Sequence, residues 1–319
     1  LVMDARYVIL ADSWSSGFDF ARAVHEDLSK RSGAFELGEI KVKEFRDGER
    51  KPRIEANVRG RDCYFIHDSN KDPSVWFLDL CLINEALRKS SARQIIDVFP
   101  YHRFARQDRK DVSRVPISAK VVARAVDDYA HGVLTLDVHN PAIDGFYDSR
   151  FDNLPSFPTA VKQIKPFFEK ELSNLVIMSP DAGGGPRAQS FAKRLGVEQV
   201  VIGYKTRSKL GEIDGLHIAG DVDGRDILIV DDIVDSGGTL VSACAVARQR
   251  GARKIYGYAP HGLFTKGVPE VVSSFDRFWV GDTLHQDLSD KLEVISFAPL
   301  FADALYRITS GQSLSELFD

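Results

Sequence analysis

The chain has 319 residues, a length that favours two domains of ordinary size, each able to bury a core. With 42 Lys and Arg against 46 Asp and Glu, a net charge of −4 and 44% hydrophobic residues, the composition is that of a globular protein and excludes collagen-like, low-complexity and wholly disordered chains. A mildly acidic chain must segregate its cations to bind phosphate backbones, so no nucleic-acid partner is expected.

Short apolar runs alternate with stretches whose apolar residues recur at helical spacing, the pattern of βαβ units. Tyr7 to Ala11 is the first predicted strand; Asp12 stops it, so it is too short for a membrane span or a signal peptide. Phe18, Ala21, Val24 and Leu28 mark a helix ending near Gly33. Cys63 to Ile66 reads as a buried strand, Val75 to Leu87 as a helix covered on both sides, and Ile95 to Phe99 as a strand stopped by Pro100. Pro116 and Ser118 start a helix over Ile117 to Tyr129, and strand Val133 to Asp137 follows. Asp, Asn, Ser and Pro interrupt the pattern between Arg150 and Thr159, where a domain boundary is expected.

The second half repeats this grammar. Strands Leu175 to Ser179, Gln199 to Ile202, Ile227 to Val230 and Lys254 to Tyr258 alternate with helices Ala188 to Leu195 and Leu240 to Gln249, ended by Gly196 and Gly251. A last helix, Leu300 to Ile308, is expected to pack back on the first domain. The class is α/β, with two domains, 1–152 and 153–319, each a doubly wound parallel sheet that binds ligands where its strands end. Cys63, Cys81 and Cys244 are odd in number, far apart and set in apolar segments, so they read as buried free thiols rather than disulfides or a zinc site.

The most specific segment is Ile227 to Thr239, an apolar strand running into paired acids and then a small-residue loop that opens a helix. Backbone N–H groups of Ser236 to Thr239 can wrap a phosphate at the helix N-terminus, with Gly237 and Gly238 permitting close approach. A P-loop needs Lys before its Ser or Thr, and here Thr239 follows Gly238 directly, so that motif is excluded. Asp231 and Asp232 would repel phosphate; they suit vicinal sugar hydroxyls or a cation, and a helix cap would need only one acid. A second cluster, Arg103, Arg106, Arg109, Lys110, Arg114, Lys120 and Arg124 against Asp108 and Asp111, is either a solvated flank or a small-anion site.

Asp231 to Thr239 resembles the phosphoribosyl-pyrophosphate loop of phosphoribosyltransferases and ribose-phosphate pyrophosphokinases. The run from Phe99 through Ala105-Arg106-Gln107-Asp108-Arg109-Lys110 to Ile117 resembles a signature of the pyrophosphokinases alone. Phe45 to Glu49, Asp137 to His139, Ser179 to Gly184 and Gln312 to Phe318 match in order, so the resemblance covers almost the whole chain. It implies a phosphoribosyltransferase-type fold and transfer of the β,γ-diphosphoryl group of ATP to the C1 hydroxyl of ribose 5-phosphate. The products would be 5-phosphoribosyl 1-pyrophosphate and AMP. It further implies Mg2+, a cytoplasmic location away from membranes, and a homohexamer built from dimers.

By the same resemblance Asp231, Asp232, Asp235, Ser236, Gly237, Gly238 and Thr239 hold ribose 5-phosphate. Phe45, Asp47 and Glu49 form an adenine pocket reaching the ATP of a neighbouring subunit, and Arg106, Gln107 and His139 meet ATP. His139 and Asp181 ligate Mg2+, while Lys205 and Arg207, in a polar loop ending at Glu212, are the catalytic pair that closes over the transferring group. The chain departs from the family pattern at Asn57, where Ser is usual, at Ala142 and Asp144, where Gln is usual, and at Tyr204, where an acid is common. By resemblance the first three positions concern regulation and subunit contact, and Tyr204 concerns the behaviour of the loop. Three rivals stay open: a non-catalytic regulatory relative, a simple phosphoribosyltransferase, and a phosphoribosyl-pyrophosphate sensor, which would need a basic DNA-reading domain.

Overall fold

Segments that are apolar at most positions become central strands here, because a parallel sheet is covered on both faces. The computed structural model describes residues 6–207 and 213–318. It divides into one unit of Leu1–Pro155, Thr283–His285 and Phe297–Asp319, and another of Ser156–Asp282 and Gln286–Ser296.

The first unit holds β1 (Tyr7–Asp12), α1 (Gly17–Ser29), β2 (Phe35–Glu44), β3 (Arg50–Ile54), β4 (Asp62–Ile66), α2 (Pro73–Lys89), β5 (Gln94–Phe99), α3 (Ser118–Tyr129), β6 (Gly132–Leu136) and β7 (Arg150–Leu154). Its seven-stranded sheet has the order β3-β2-β1-β4-β5-β6-β7, so the winding reverses between β1 and β4. β1, β4 and β6 are buried at every position, and α2 starts on Asp72, whose side chain accepts from the Ser74 N–H.

The second unit holds α4 (Phe157–Phe168), β8 (Leu175–Ser179), α5 (Gly185–Leu195), β9 (Val200–Arg207), β10 (Ile213–Ala219), β11 (Asp226–Val230), β12 (Ile233–Val234), α6 (Gly238–Gln249), β13 (Lys254–Ala259), β14 (His261–Gly262), α7 (Val268–Val272), β15 (Arg277–Gly281) and β16 (Leu292–Ile295). Its sheet order is β10-β9-β8-β11-β13-β15-β16, with the reversal between β8 and β11, and β12 pairs with β14 outside it. α8 (Ala298–Ser310) belongs to the first unit. There Phe301 meets Phe20 edge-to-face at 5.5 Å, Arg31 pairs with Asp303 at 2.9 Å, and the Tyr7 hydroxyl donates to the Thr309 carbonyl at 3.2 Å.

Both sheets are mostly parallel, but each carries one antiparallel edge strand, β3 on β2 and β10 on β9. The β2–β3 hairpin is a further element: in β2 buried Ile40 and Val42 alternate with Glu39, Lys41 and Lys43, and β3 is the edge strand, where Pro52 is tolerated. The stretch read as a boundary loop contains β7 and the start of α4. Cys63 and Cys244 are buried, Cys81 is half-buried and all three are free; burial pushes the Cys63 and Cys244 thiols up to about 12, which keeps them inert. Among the described residues no helix is long and apolar enough to cross a membrane.

The first unit also buries two imidazoles. His67 Nε2 lies 2.8 Å from Asp97 Oδ1, and His102 packs against Phe99, Tyr147 and Phe151. Burial lowers both, His102 to about 4. A histidine in the unfolded chain titrates near about 6.5, so the unfolded state takes the proton first. The stability held by a neutral His102 is therefore complete above about 6.5 and is lost as pH falls towards 4. Urea unfolding at pH 7.5 and 4.5 is expected to show an acid loss that is smaller in His102→Gln by about 2–3 kcal/mol. An equal loss in both proteins would mean that His102 is not held neutral.

Candidate active site

In open α/β sheets, ligands collect outside the carboxyl ends of the strands where the winding reverses. In the second unit that point lies between β8 and β11. β11 is buried throughout and delivers Asp231 and Asp232; β12 and residues 235–237 follow, and α6 opens at Gly238. Gly237 takes φ +74° as the N-cap residue of α6 and has no side chain to cap the helix itself. Asp235 serves the loop itself: its Oδ1 accepts from Thr265 Oγ1 at 2.9 Å and its carbonyl from the Thr265 N–H at 3.0 Å. Ser236 and Thr239 are half-buried and Gly238 is exposed.

Asp232 is buried, Asp231 is half-buried, and the Asp232 N–H donates to Asp231 Oδ1 at 2.9 Å. Arg187, on the first turn of α5, places Nη1 3.1 Å from Asp232 Oδ1 and 3.7 Å from Asp231 Oδ1. Burial and the Asp232 charge push the Asp231 carboxyl well above the ordinary carboxylate range, and Arg187 opposes them. Reading the sequence missed Arg187. The available signal was chemical: two adjacent acids at a buried strand end need a cation, and the loop after β8 with the helix turn that follows it is the nearest source in a switch-point fold. Asp181, in that loop, is exposed and accepts from the Gly184 N–H through Oδ1 at 2.9 Å, while Ser179 Oγ donates to the Asp181 carbonyl at 2.6 Å.

In the first unit β5 ends at Phe99 and the chain turns outwards. Arg106, Arg109 and Lys110 are exposed, whereas Gln107 is docked on α3: its Oε1 accepts from Ser118 Oγ at 2.5 Å and its carbonyl from the Ala119 N–H at 3.2 Å. His139 is exposed after β6, where Asp137 adopts φ +36°, a left-handed conformation costly for a non-glycine residue. Asn140 Nδ2 donates to Asp108, which brings the basic segment to the turn that carries His139. Phe45, Asp47 and Glu49 occupy the exposed tip of the β2–β3 hairpin; Lys43 Nζ sits 5.2 Å from the Phe45 ring, and Asp47 Oδ1 accepts from the Glu49 N–H at 3.1 Å. The backbone of Lys205 and Arg207 belongs to β9; their side chains, and residues 208–212 of the expected catalytic loop, lie outside the described residues. Among the described residues no three His, Cys, Asp or Glu side chains cluster as metal ligands.

A doubly wound α/β unit with paired acids and a glycine-bearing loop at its switch point has the phosphoribosyltransferase type of fold. Residues 13–129 match the family model for the N-terminal domain of ribose phosphate pyrophosphokinase, residues 153–262 that for the phosphoribosyl transferase domain, and residues 209–319 that for the phosphoribosyl synthetase-associated domain. The chain is 39% identical over 290 residues to the ribose-phosphate pyrophosphokinase of Hyphomonas neptunium, covering 89% of this chain and 92% of the relative. It is 36% identical over 301 residues to that of Chlorobaculum tepidum, covering 92% of each. The crystal structure of phosphoribosylpyrophosphate synthetase from Mycobacterium smegmatis matches with a TM-score of 0.85 at 26% identity, over 96% of this chain and 99% of that one. The chain belongs to the ribose-phosphate pyrophosphokinase family.

Proposed function

We infer that the protein transfers the β,γ-diphosphoryl group of ATP to the C1 hydroxyl of ribose 5-phosphate, forming 5-phosphoribosyl 1-pyrophosphate and AMP. One observation carries this reading: the Asp231–Thr239 loop stands at a switch point in a chain whose residues 13–129 match the pyrophosphokinase N-terminal domain. A simple phosphoribosyltransferase would leave that first domain without a role.

Transfer of this kind asks the protein to align two phosphate-bearing substrates and to neutralise charge as it develops. The 5-phosphate sits on the amides of residues 236–239, and Asp231 and Asp232 accept hydrogen bonds from the ribose hydroxyls. Arg106 meets ATP phosphate oxygens, and Gln107, its oxygen already taken by Ser118, offers its NH2 as a donor. The Phe45 ring stacks on adenine, while Asp47 or Glu49 accepts from the exocyclic amine. In-line attack by the C1 oxygen at the β-phosphorus expels AMP, and Lys205 and Arg207 balance the charge on the transferring group.

Mg2+ is the cation this chemistry needs, and bound there it neutralises phosphate oxygens. His139 and Asp181 are the residues that would hold it. Asp181 suits a sparsely ligated ion: it has one oxygen engaged by Gly184 and its second for a metal, and Mg2+ commonly keeps waters and substrate phosphates as its other ligands. The reading includes a cytoplasmic homohexamer built from dimers, with the 45–49 hairpin tip serving the ATP of a neighbouring subunit. The test is AMP release by the purified protein alone: turnover that requires ATP, ribose 5-phosphate and Mg2+ together is expected. Absence of turnover without a partner protein would favour a regulatory relative, and release of pyrophosphate from 5-phosphoribosyl 1-pyrophosphate with a free base would favour a phosphoribosyltransferase.

A further inference from the structure

Between Phe99 and Ser118 the chain has no helix or strand and includes two left-handed non-glycine residues, Phe104 and Arg114, each at φ +65°. Such a segment holds its side chains in place only where it is tied down. Two ties run from it to the turn after β6. His102 Nδ1 lies 2.8 Å from the Arg103 carbonyl, an acceptor, so Nδ1 carries the proton and Nε2 must accept. The donor is the Tyr147 hydroxyl at 2.6 Å, and both side chains are buried, so neither has water as an alternative. At the other end Asn140 Oδ1 accepts from the Ala142 N–H at 3.0 Å, which fixes the amide orientation and turns Nδ2 to Asp108. Arg106 and Gln107 lie between His102 and Asp108, and His139 immediately precedes Asn140.

We propose that Tyr147 and Asn140 are positioning residues for the nucleotide: they lock the segment bearing Arg106 and Gln107 to the turn bearing His139, so that the three groups are presented as one body. The proposal rests on the reading of Arg106, Gln107 and His139 as the ATP-facing groups. Neither residue touches substrate in this scheme. Tyr147→Phe keeps the ring packing and removes only the proton offered to His102; Asn140→Ala removes the second tie.

Steady-state kinetics with each substrate varied in turn tests this. Each variant is expected to raise the KM for ATP about tenfold, the usual size of one lost buried hydrogen bond, and to leave the KM for ribose 5-phosphate within about twofold. Asp108→Ala should match Asn140→Ala, and the double variant should be no worse than either alone. An equal loss towards both substrates would mean a general structural role and overturn the proposal. So would an unchanged ATP KM in Tyr147→Phe and Asn140→Ala beside a raised one in Arg106→Ala. No rise in Arg106→Ala itself would remove the nucleotide reading, and the proposal with it. If Tyr147→Phe does not fold, Asn140→Ala, on a partly exposed turn, decides the matter.

Discussion

Gly237→Ala is expected to lose about 3 kcal/mol of stability and to raise the KM for ribose 5-phosphate by about 100-fold or more. Two independent costs add at this position. Gly237 has φ +74°, where an L-residue is disfavoured by about 1–2 kcal/mol. A Cβ there would also lie 2.2 Å from Val271 Cγ2 and 3.0 Å from Cγ1, and Val271 is fully buried in the core, so nothing yields cheaply. Relief by shifting the loop would turn the α6 amides away from the phosphate, which is why binding suffers with stability. The adjacent Gly238 is an internal control: a Cβ there has Ser236 Oγ as its nearest neighbour, at 3.7 Å. Gly238→Ala should stay within about 0.5 kcal/mol of the parent in urea unfolding. Equal tolerance of the two substitutions would show that the loop does not have this geometry.

The parts of the molecule legible in the sequence are those whose physics is local. β1, β4, β8 and β11 are buried throughout and apolar at all but one terminal position each because both of their faces are covered, and a segment such as Ile227–Val230 has no other stable fate. The course of the Asp231–Thr239 segment was legible for the same reason, since strand, acids, glycines and helix follow one another within thirteen residues, Ile227 to Thr239. What escaped depends on partners distant in sequence. Arg187 and Asp232 are 45 positions apart and meet only because β8 and β11 are neighbours. The ties of Tyr147 to His102 and of Asn140 to Asp108 form only once β5 and β6 pair. α4 carries Pro166 within it, a residue that weakens any helical reading, and its buried face of Ala160, Val161, Ile164 and Phe168 overrides that preference.

Lys205→Ala is expected to lower kcat by about 10^2 to 10^3 while changing the KM for either substrate by less than about threefold. The strand that carries it supplies the geometry. β8 ends where Ser179 pairs with Ile202, but β9 runs on to Arg207, and among the described residues β10 is the strand that pairs with it there, with Lys205 opposite Leu216 and Arg207 opposite Ile213. At roughly 3.3 Å per residue, positions 205 and 207 stand about 10 Å and 17 Å beyond that last pairing. They extend past the same sheet edge at which Asp181 and Asp231 emerge. Gly203 lets β9 pass the loop after β8, since a Cβ there would come within 2.6 Å of the Pro180 carbonyl oxygen. In the proposed reaction Lys205 and Arg207 act on the transferring diphosphoryl group rather than on the 5-phosphate, so their removal should spare ground-state binding of ribose 5-phosphate. They suit charge that accumulates on the transferring group only as the bond to AMP breaks, and an interaction made only in the transition state appears in kcat. Arg207→Ala should behave alike, and the double variant should fall well short of the product of the single effects, because the two cations act on one group. A Lys205→Ala enzyme with kcat within about threefold of the parent would remove the catalytic assignment and leave both substrate sites as described.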